Sequence, residues 1–171
     1  MTSPGAPIES QGRLGQAVVE RLRGLAVSYP DPRSAVMAAL YAAQDELGYV
    51  TAAAMGQIAE ILGMDVGYVE GIATFYTLYF TQPVGKHQFS ICQTLSCALR
   101  GSDRLMEHTL ERLGLEESGQ TSADGLFTAL EVECLGCCEY APVMRLDNRF
   151  HYDLTTEMID QLIDERRGQS S

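Results

Sequence analysis

Through the first half of the chain, apolar residues recur at three- and four-residue steps, the period of a helix that hides one face. Leu14, Ala17, Val18, Leu22 and Leu25 form the first stripe. A break follows at Tyr29-Pro30-Asp31-Pro32, where Asp31 suits an N-cap and Pro32 the first helical position. Val36, Leu40, Ala43 and Leu47 make a second stripe, closed by Gly48 as a left-handed cap. Thr51 caps a third helix through Ile58, Ile61 and Leu62, which stops at Gly63. Asp65 starts a fourth, with Val69, Ile72, Phe75 and Tyr79 on its face. Short helices with brief connections predict a helical bundle over residues 13–82. Thr74 to Phe80 (TFYTLYF) is more aromatic than one core stripe needs, and its surplus rings suit contact with a second domain or a partner subunit.

The period then changes. Thr81-Gln82-Pro83-Val84-Gly85 reads as a hinge, and His87 to Cys92 (HQFSIC) alternates as a strand does. Ser102 to Leu113 returns to helical spacing, with Leu105, Met106, Leu110 and Leu113 on one side. Leu126 to Cys134 is a second strand. Val143 to Leu146 and Arg149 to Tyr152 flank the turn pair Asp147-Asn148. Thr155 to Arg167 closes the chain as a helix, with Met158, Ile159, Leu162 and Ile163 facing inward. The expected fold is therefore α+β: a helical bundle, then an α/β layer over residues 83–168 with helices packed on a sheet.

Charge narrows the function. Of 171 residues, 23 are acidic and 12 basic, a formal charge of −11, of which −4 falls in residues 1–85 and −7 in 86–171. Such a surface does not neutralise phosphates, which excludes a nucleic-acid binder, and an anionic membrane would repel it. Met1 to Gln16 is polar, with Arg13 its one base, and lacks the apolar core of a secretory signal; residues 1–12 are expected to be a flexible tail. The longest apolar run, Gly71 to Phe80, is too short to span a membrane. An intracellular protein keeps its thiols reduced, so metal or redox chemistry is the better reading of the cysteines than a disulfide framework.

All five cysteines lie between Cys92 and Cys138. Cys92 ends one strand and Cys97 follows in a loop before a helix; Cys134 ends the next strand, ahead of Leu135-Gly136-Cys137-Cys138. If the two strands are neighbours, both loops emerge from one end of the sheet and two pairs of thiols face each other. Thr94 and Ser96 are positioned to supply hydroxyl donors. Three chemistries fit: a [2Fe-2S] cluster, commonly held by four cysteines; a structural zinc scaffold with four cysteine ligands; and thioredoxin-like dithiol exchange through Cys134-Leu135-Gly136-Cys137. There is no dinucleotide or phosphate-loop fingerprint, and His87, His108 and His151 stand apart without metal-like spacing, with His108 expected on a helix surface.

The stretches Ala73-Thr74-Phe75-Tyr76-Thr77, Cys92-Gln93-Thr94-Leu95-Ser96-Cys97 with Leu99-Arg100-Gly101-Ser102, Leu126-Phe127-Thr128, Glu131-Val132-Glu133-Cys134-Leu135-Gly136, Cys138 and Ala141-Pro142 carry a resemblance. Through them the chain resembles the small thioredoxin-like 2Fe-2S ferredoxin subunit of the NADH-oxidising module of respiratory NADH:quinone oxidoreductase (complex I), over roughly residues 14–166. The resemblance implies a helical bundle followed by a thioredoxin-like domain, with one 2Fe-2S cluster held by Cys92, Cys97, Cys134 and Cys138. The family usually has a small residue such as Ala where this chain has Cys137, so Cys137 is expected to be a bystander. Pro142 stands where thioredoxin-like folds often place a cis proline. The resemblance further implies an electron-transfer subunit without a complete active site of its own. FMN and NADH would be bound by a larger partner subunit, and the complex would lie on the cytoplasmic face of a bacterial inner membrane. The equivalent subunit of an NAD-linked hydrogenase or formate dehydrogenase is the near alternative. Glu131, Glu133 and Glu139 beside the second cysteine pair disfavour an added electron, whereas Arg100 works the other way; the expected potential is low, about −400 mV.

Overall fold

The computed structural model describes residues 12–169. The tail expected over residues 1–12 lies outside them except for Gly12, whose carbonyl accepts a hydrogen bond from the Thr51 hydroxyl. The chain divides between Pro83 and Val84 into two compact units.

The first unit is built from α1 (Gln16–Ser28), α2 (Val36–Leu47), α3 (Ala52–Leu62) and α4 (Val66–Phe75). Leu22, Leu40, Val50, Ile58 and Val69 are fully buried at its centre, and Ala35, Ala39, Ala43 and Ala54 fill the closest approaches. Helix ends follow local chemistry. The Thr51 hydroxyl accepts from Ala54 N–H at 3.0 Å, and the Asp65 carboxylate from Gly67 N–H at 2.8 Å. Gly48 and Gly63 end α2 and α3 with φ of 81° and 64°, a conformation that favours glycine.

Two expectations fail here. Asp31 does cap, accepting from Arg33 N–H, but Pro32–Ala35 forms a single 3-10 turn and α2 begins only at Val36. The fourth helix stops at Phe75 instead of running on to Tyr79. The Gln44 side chain supplies the reason. Its amide nitrogen donates to Leu78 O at 2.9 Å and its oxygen accepts from Phe80 N–H at 2.6 Å, so the backbone beyond α4 is satisfied outside a helix. Tyr79 is still buried and donates its hydroxyl to Met37 O at 3.0 Å, whereas Phe75 is 76% exposed.

The second unit contains β1 (His87–Cys92), the one-turn helix α5 (Leu95–Leu99), α6 (Ser102–Leu113), β2 (Phe127–Val132), β3 (Met144–Leu146), β4 (Arg149–His151) and α7 (Thr156–Gly168). The sheet order is β2-β1-β3-β4, with β1 and β2 parallel and the other pairs antiparallel. Phe89 lies between Ala129 and Leu146, and Ile91 is paired with Met144. These residues meet Leu105, Met106 and Leu113 of α6 and Ile159 and Ile163 of α7 in one core. As a central strand with a parallel neighbour, β1 is buried almost throughout instead of alternating.

The strands are shorter than their sequence pattern suggests. β2 ends at Val132, whose carbonyl takes the last ladder bond from Gln93 N–H at 3.0 Å, so Cys134 stands beyond the strand. The hairpin pairs only Met144–Leu146 with Arg149–His151, around Asp147 at φ 56°. The Ala141–Pro142 bond is cis, as expected.

Candidate metal centre

Because β1 and β2 are parallel neighbours, the chain leaves both strands at the same end of the sheet. Cys92 is the last residue of β1. Cys97 lies in α5, and not in a loop as its spacing suggested. Cys138 opens a 3-10 turn, Cys138–Tyr140. Cys92 and Cys97 are 2% and 3% exposed and pack with Ala141 and Val143, whereas Cys134 and Cys138 are open to solvent.

The thiols gather as two pairs. Cys134 and Cys138 Sγ are 3.8 Å apart, and Cys92 and Cys97 are buried together in one small core. Thr94 Oγ1 stands 3.2 Å from Cys92 Sγ. Burial pushes the Cys92 thiol up, but hydrogen bonds from the Thr94 hydroxyl and from the N–H groups of Thr94 and Leu135 outweigh it, leaving Cys92 below the usual thiol value. Burial pushes Cys97 up to about 11, against the Val143 N–H and reinforced by Cys92. The Gly136 N–H, 3.4 Å from Cys134 Sγ, and the Thr94 hydroxyl hold Cys134 low. Cys138, bonded to Cys134, is pushed up. Gly136 at φ 79° turns the backbone so that its N–H faces the sulfur.

Cys137 is placed differently. Its Sγ donates to Leu135 O at 3.7 Å and is turned to Tyr152, and the half-buried residue packs against the small core of Cys92, Cys97, Ala141 and Val143. The thiol in contact with Cys134 is therefore Cys138.

Tetrahedral coordination at about 2.3 Å places ligand sulfurs about 3.8 Å apart. The Cys134–Cys138 separation matches one such edge. Among the described residues, no three His, Cys, Asp or Glu side chains close on a single metal ion. A mononuclear zinc site asks for four sulfurs round one point; a two-iron cluster asks for two pairs, and the donor set fits the latter.

The remaining candidates lie apart from the cysteines or at their rim. His87 Nδ1 is 3.0 Å from Asp147 Oδ2. His108 does not sit on an open helix surface: its Nε2 is 2.9 Å from Asp160 Oδ1, which also accepts from Arg112 Nε at 2.6 Å, joining α6 to α7. Glu131, Glu133 and Glu139 are exposed, and Arg100 faces Asp153 at 3.9 Å. Sequence reasoning missed the N–H donors of Leu135, Gly136 and Val143, which no side chain advertises, and Tyr152, whose role depends on the turn that brings it to Cys137.

Comparison with known proteins agrees with this architecture. The thioredoxin-like [2Fe-2S] ferredoxin family matches residues 22–167. The chain is 41% identical over 149 residues to a subunit of NADH-quinone oxidoreductase from Rhizobium meliloti (strain 1021), covering 87% of this chain and 88% of that protein. It is 39% identical over 136 residues to the corresponding subunit of NADH-quinone oxidoreductase from Escherichia coli (strain K12), covering 80% and 81%. In fold it is similar to an NAD+-reducing [NiFe]-hydrogenase in the air-oxidized state, with a TM-score of 0.69 at 24% identity; the match covers 79% of this chain but only 23% of the hydrogenase chain. The match to the family spans most of both units, and the chain belongs to the thioredoxin-like [2Fe-2S] ferredoxins.

Proposed function

We propose that Cys92, Cys97, Cys134 and Cys138 hold one [2Fe-2S] cluster and that the chain is an electron-transfer subunit of an NADH:quinone oxidoreductase. The observation that carries this reading is the pairwise gathering of four thiols at the common end of β1 and β2, with Cys137 turned to Tyr152. When bound, such a cluster supplies a one-electron redox centre and no bond-making chemistry. The chain's part is to hold sulfur and tune charge. The N–H groups of Leu135, Gly136 and Val143 and the hydroxyls of Thr94 and Ser96 donate to ligand sulfurs, which favours the more negative state. Glu131, Glu133 and Glu139 oppose it from the rim and keep the potential low.

In this reading NADH and FMN belong to a larger partner subunit, and the cluster exchanges one electron at a time with that flavin. Tyr68, Phe75 and Tyr76 of the first unit are exposed rings suited to subunit contact. No helix among the described residues is long and apolar enough to cross a membrane, and the reading places the chain in a peripheral arm on the cytoplasmic face. The fold likeness to an NAD+-reducing hydrogenase favours a second assignment, the corresponding subunit of such an enzyme. Subunits that co-purify from native cells separate the two.

The decisive experiment is anaerobic purification with a visible spectrum and assays of iron and acid-labile sulfide. A red-brown protein with about two irons and two sulfides per chain is expected. A colourless protein with one zinc, or a metal-free one, would overturn the cluster. A midpoint above zero in an EPR-monitored titration would overturn the low potential.

A further inference from the structure

Among the described residues, four α-helices begin behind a Thr or Asp in extended conformation, and one of these residues behaves differently. Thr51, Asp65 and Thr155 each accept a backbone N–H of the first turn, the ordinary work of an N-cap. Thr94 holds the same position before α5, with φ −83° and ψ 168°, yet its side chain makes no cap bond. Its backbone carbonyl takes the N–H groups of Cys97 and Ala98, at 2.9 and 3.0 Å. The hydroxyl turns instead to sulfur, 3.2 Å from Cys92 Sγ. Among the described residues it is the hydroxyl with a hydrogen-bond distance to a cysteine sulfur.

We propose that Thr94 is a positioning residue whose hydroxyl donates to the sulfur of Cys92 and raises the potential of the cluster that Cys92 helps to hold. This deepens the cluster reading above and rests on it. A hydroxyl carries one proton and a thiolate carries none, so once the cysteines are ligands the only direction left is donation from Oγ1 to sulfur. Donation to sulfur stabilises the reduced, more negative state more than the oxidised one. A Thr retained only to start α5 or fill space would have no such preference, and Val would replace it without electronic consequence.

The test uses the full-length protein loaded with its cluster, comparing the unmodified chain with Thr94→Val, Thr94→Ala and Thr94→Ser. Iron and sulfide in the unmodified protein establish the cluster itself; their absence would overturn both readings. With the cluster present, EPR-monitored titration decides the role of Thr94. Thr94→Val and Thr94→Ala are expected to shift the reduction equilibrium about tenfold toward the oxidised form, a midpoint about 59 mV lower for one electron. Thr94→Ser is expected to return most of that shift. Clusters lost from the Val and Ala variants but kept in Ser also support a hydroxyl requirement. An unchanged or raised midpoint in Val and Ala overturns the proposal while leaving the cluster intact, as does loss of the cluster from all three variants.

Discussion

The substitution Gly85→Ala puts the packing between the parallel strands to a quantitative test. Gly85 lies just before β1, and a Cβ there would stand 2.6 Å from Phe127 C, 2.7 Å from Phe127 N and 2.9 Å from Leu126 C. All three are backbone atoms of the neighbouring segment, so no side chain can swing aside. Carbon atoms are comfortable at about 3.5–4.0 Å, and the two segments would have to part by about 1 Å. Parting strains the bonds that join them: Gly85 N–H to Thr128 Oγ1 at 2.6 Å, Lys86 N–H to Gly125 O at 3.3 Å and His87 N–H to Leu126 O at 2.8 Å. Overpacking of a tight interior costs about 1–3 kcal/mol and a weakened buried hydrogen bond about 1 kcal/mol more, a total of about 2–4 kcal/mol. Gly24 in α1 is exposed with nothing near its absent Cβ, so Gly24→Ala should gain about 0.5–1 kcal/mol from helix propensity. Urea unfolding followed by far-UV circular dichroism measures both. A Gly85→Ala protein within about 0.5 kcal/mol of the parent, or two variants that shift in the same direction, would refute this packing.

Further outcomes follow from single contacts. Cys137→Ala should keep its iron and sulfide, whereas Cys138→Ala should lose most of both; equal loss would place Cys137 among the ligands. Burial, with Arg166 assisting, holds the His151 imidazole below its usual 6.5, and its Nε2 is buried without a partner. The unfolded chain therefore takes up the proton first as pH falls below about 6.5, and stability contributed by neutral His151 is lost from there toward the lower folded value. His151→Gln should flatten that acid-side decline in urea midpoints, and a profile parallel to the parent's would count against it. Thr51→Ala removes the bond to Ala54 N–H and the tie to Gly12 O, and should lower stability by about 1 kcal/mol in the same urea assay, while Thr51→Ser should hold most of it.

What the sequence revealed in advance was whatever a side chain decides locally. Gly48, Gly63, Thr51 and Asp65 mark helix ends because their own chemistry makes those ends. The cysteine spacing was legible for a similar reason: two strands followed by cysteine-bearing turns converge if the strands are neighbours, and β1 and β2 are. What escaped depends on partners distant in the chain. Tyr79 carried the period of a helix face, but Gln44, on another helix, takes up the backbone on either side of it. His108 looked solvent-facing because Asp160 lies 52 residues away. The orientation of Cys137 follows from the turn at Gly136 and from Tyr152, neither of which spacing encodes.

The parallel pairing of β1 and β2 also orders events in time. Cys92 and Cys97 are synthesised well ahead of Cys134, and the two cysteine pairs face each other only after α6 has crossed back and β2 has docked beside β1. Loop closure of that length precedes any reward from metal binding. The core that secures the docking is made by Phe89, Ile91, Phe127, Met144 and the inner faces of α6 and α7, separate from the small group around Cys92 and Cys97. Folding of the second unit is therefore expected to lead and acquisition of metal to follow, the reverse of a zinc finger, whose chain has no structure to offer until the ion arrives.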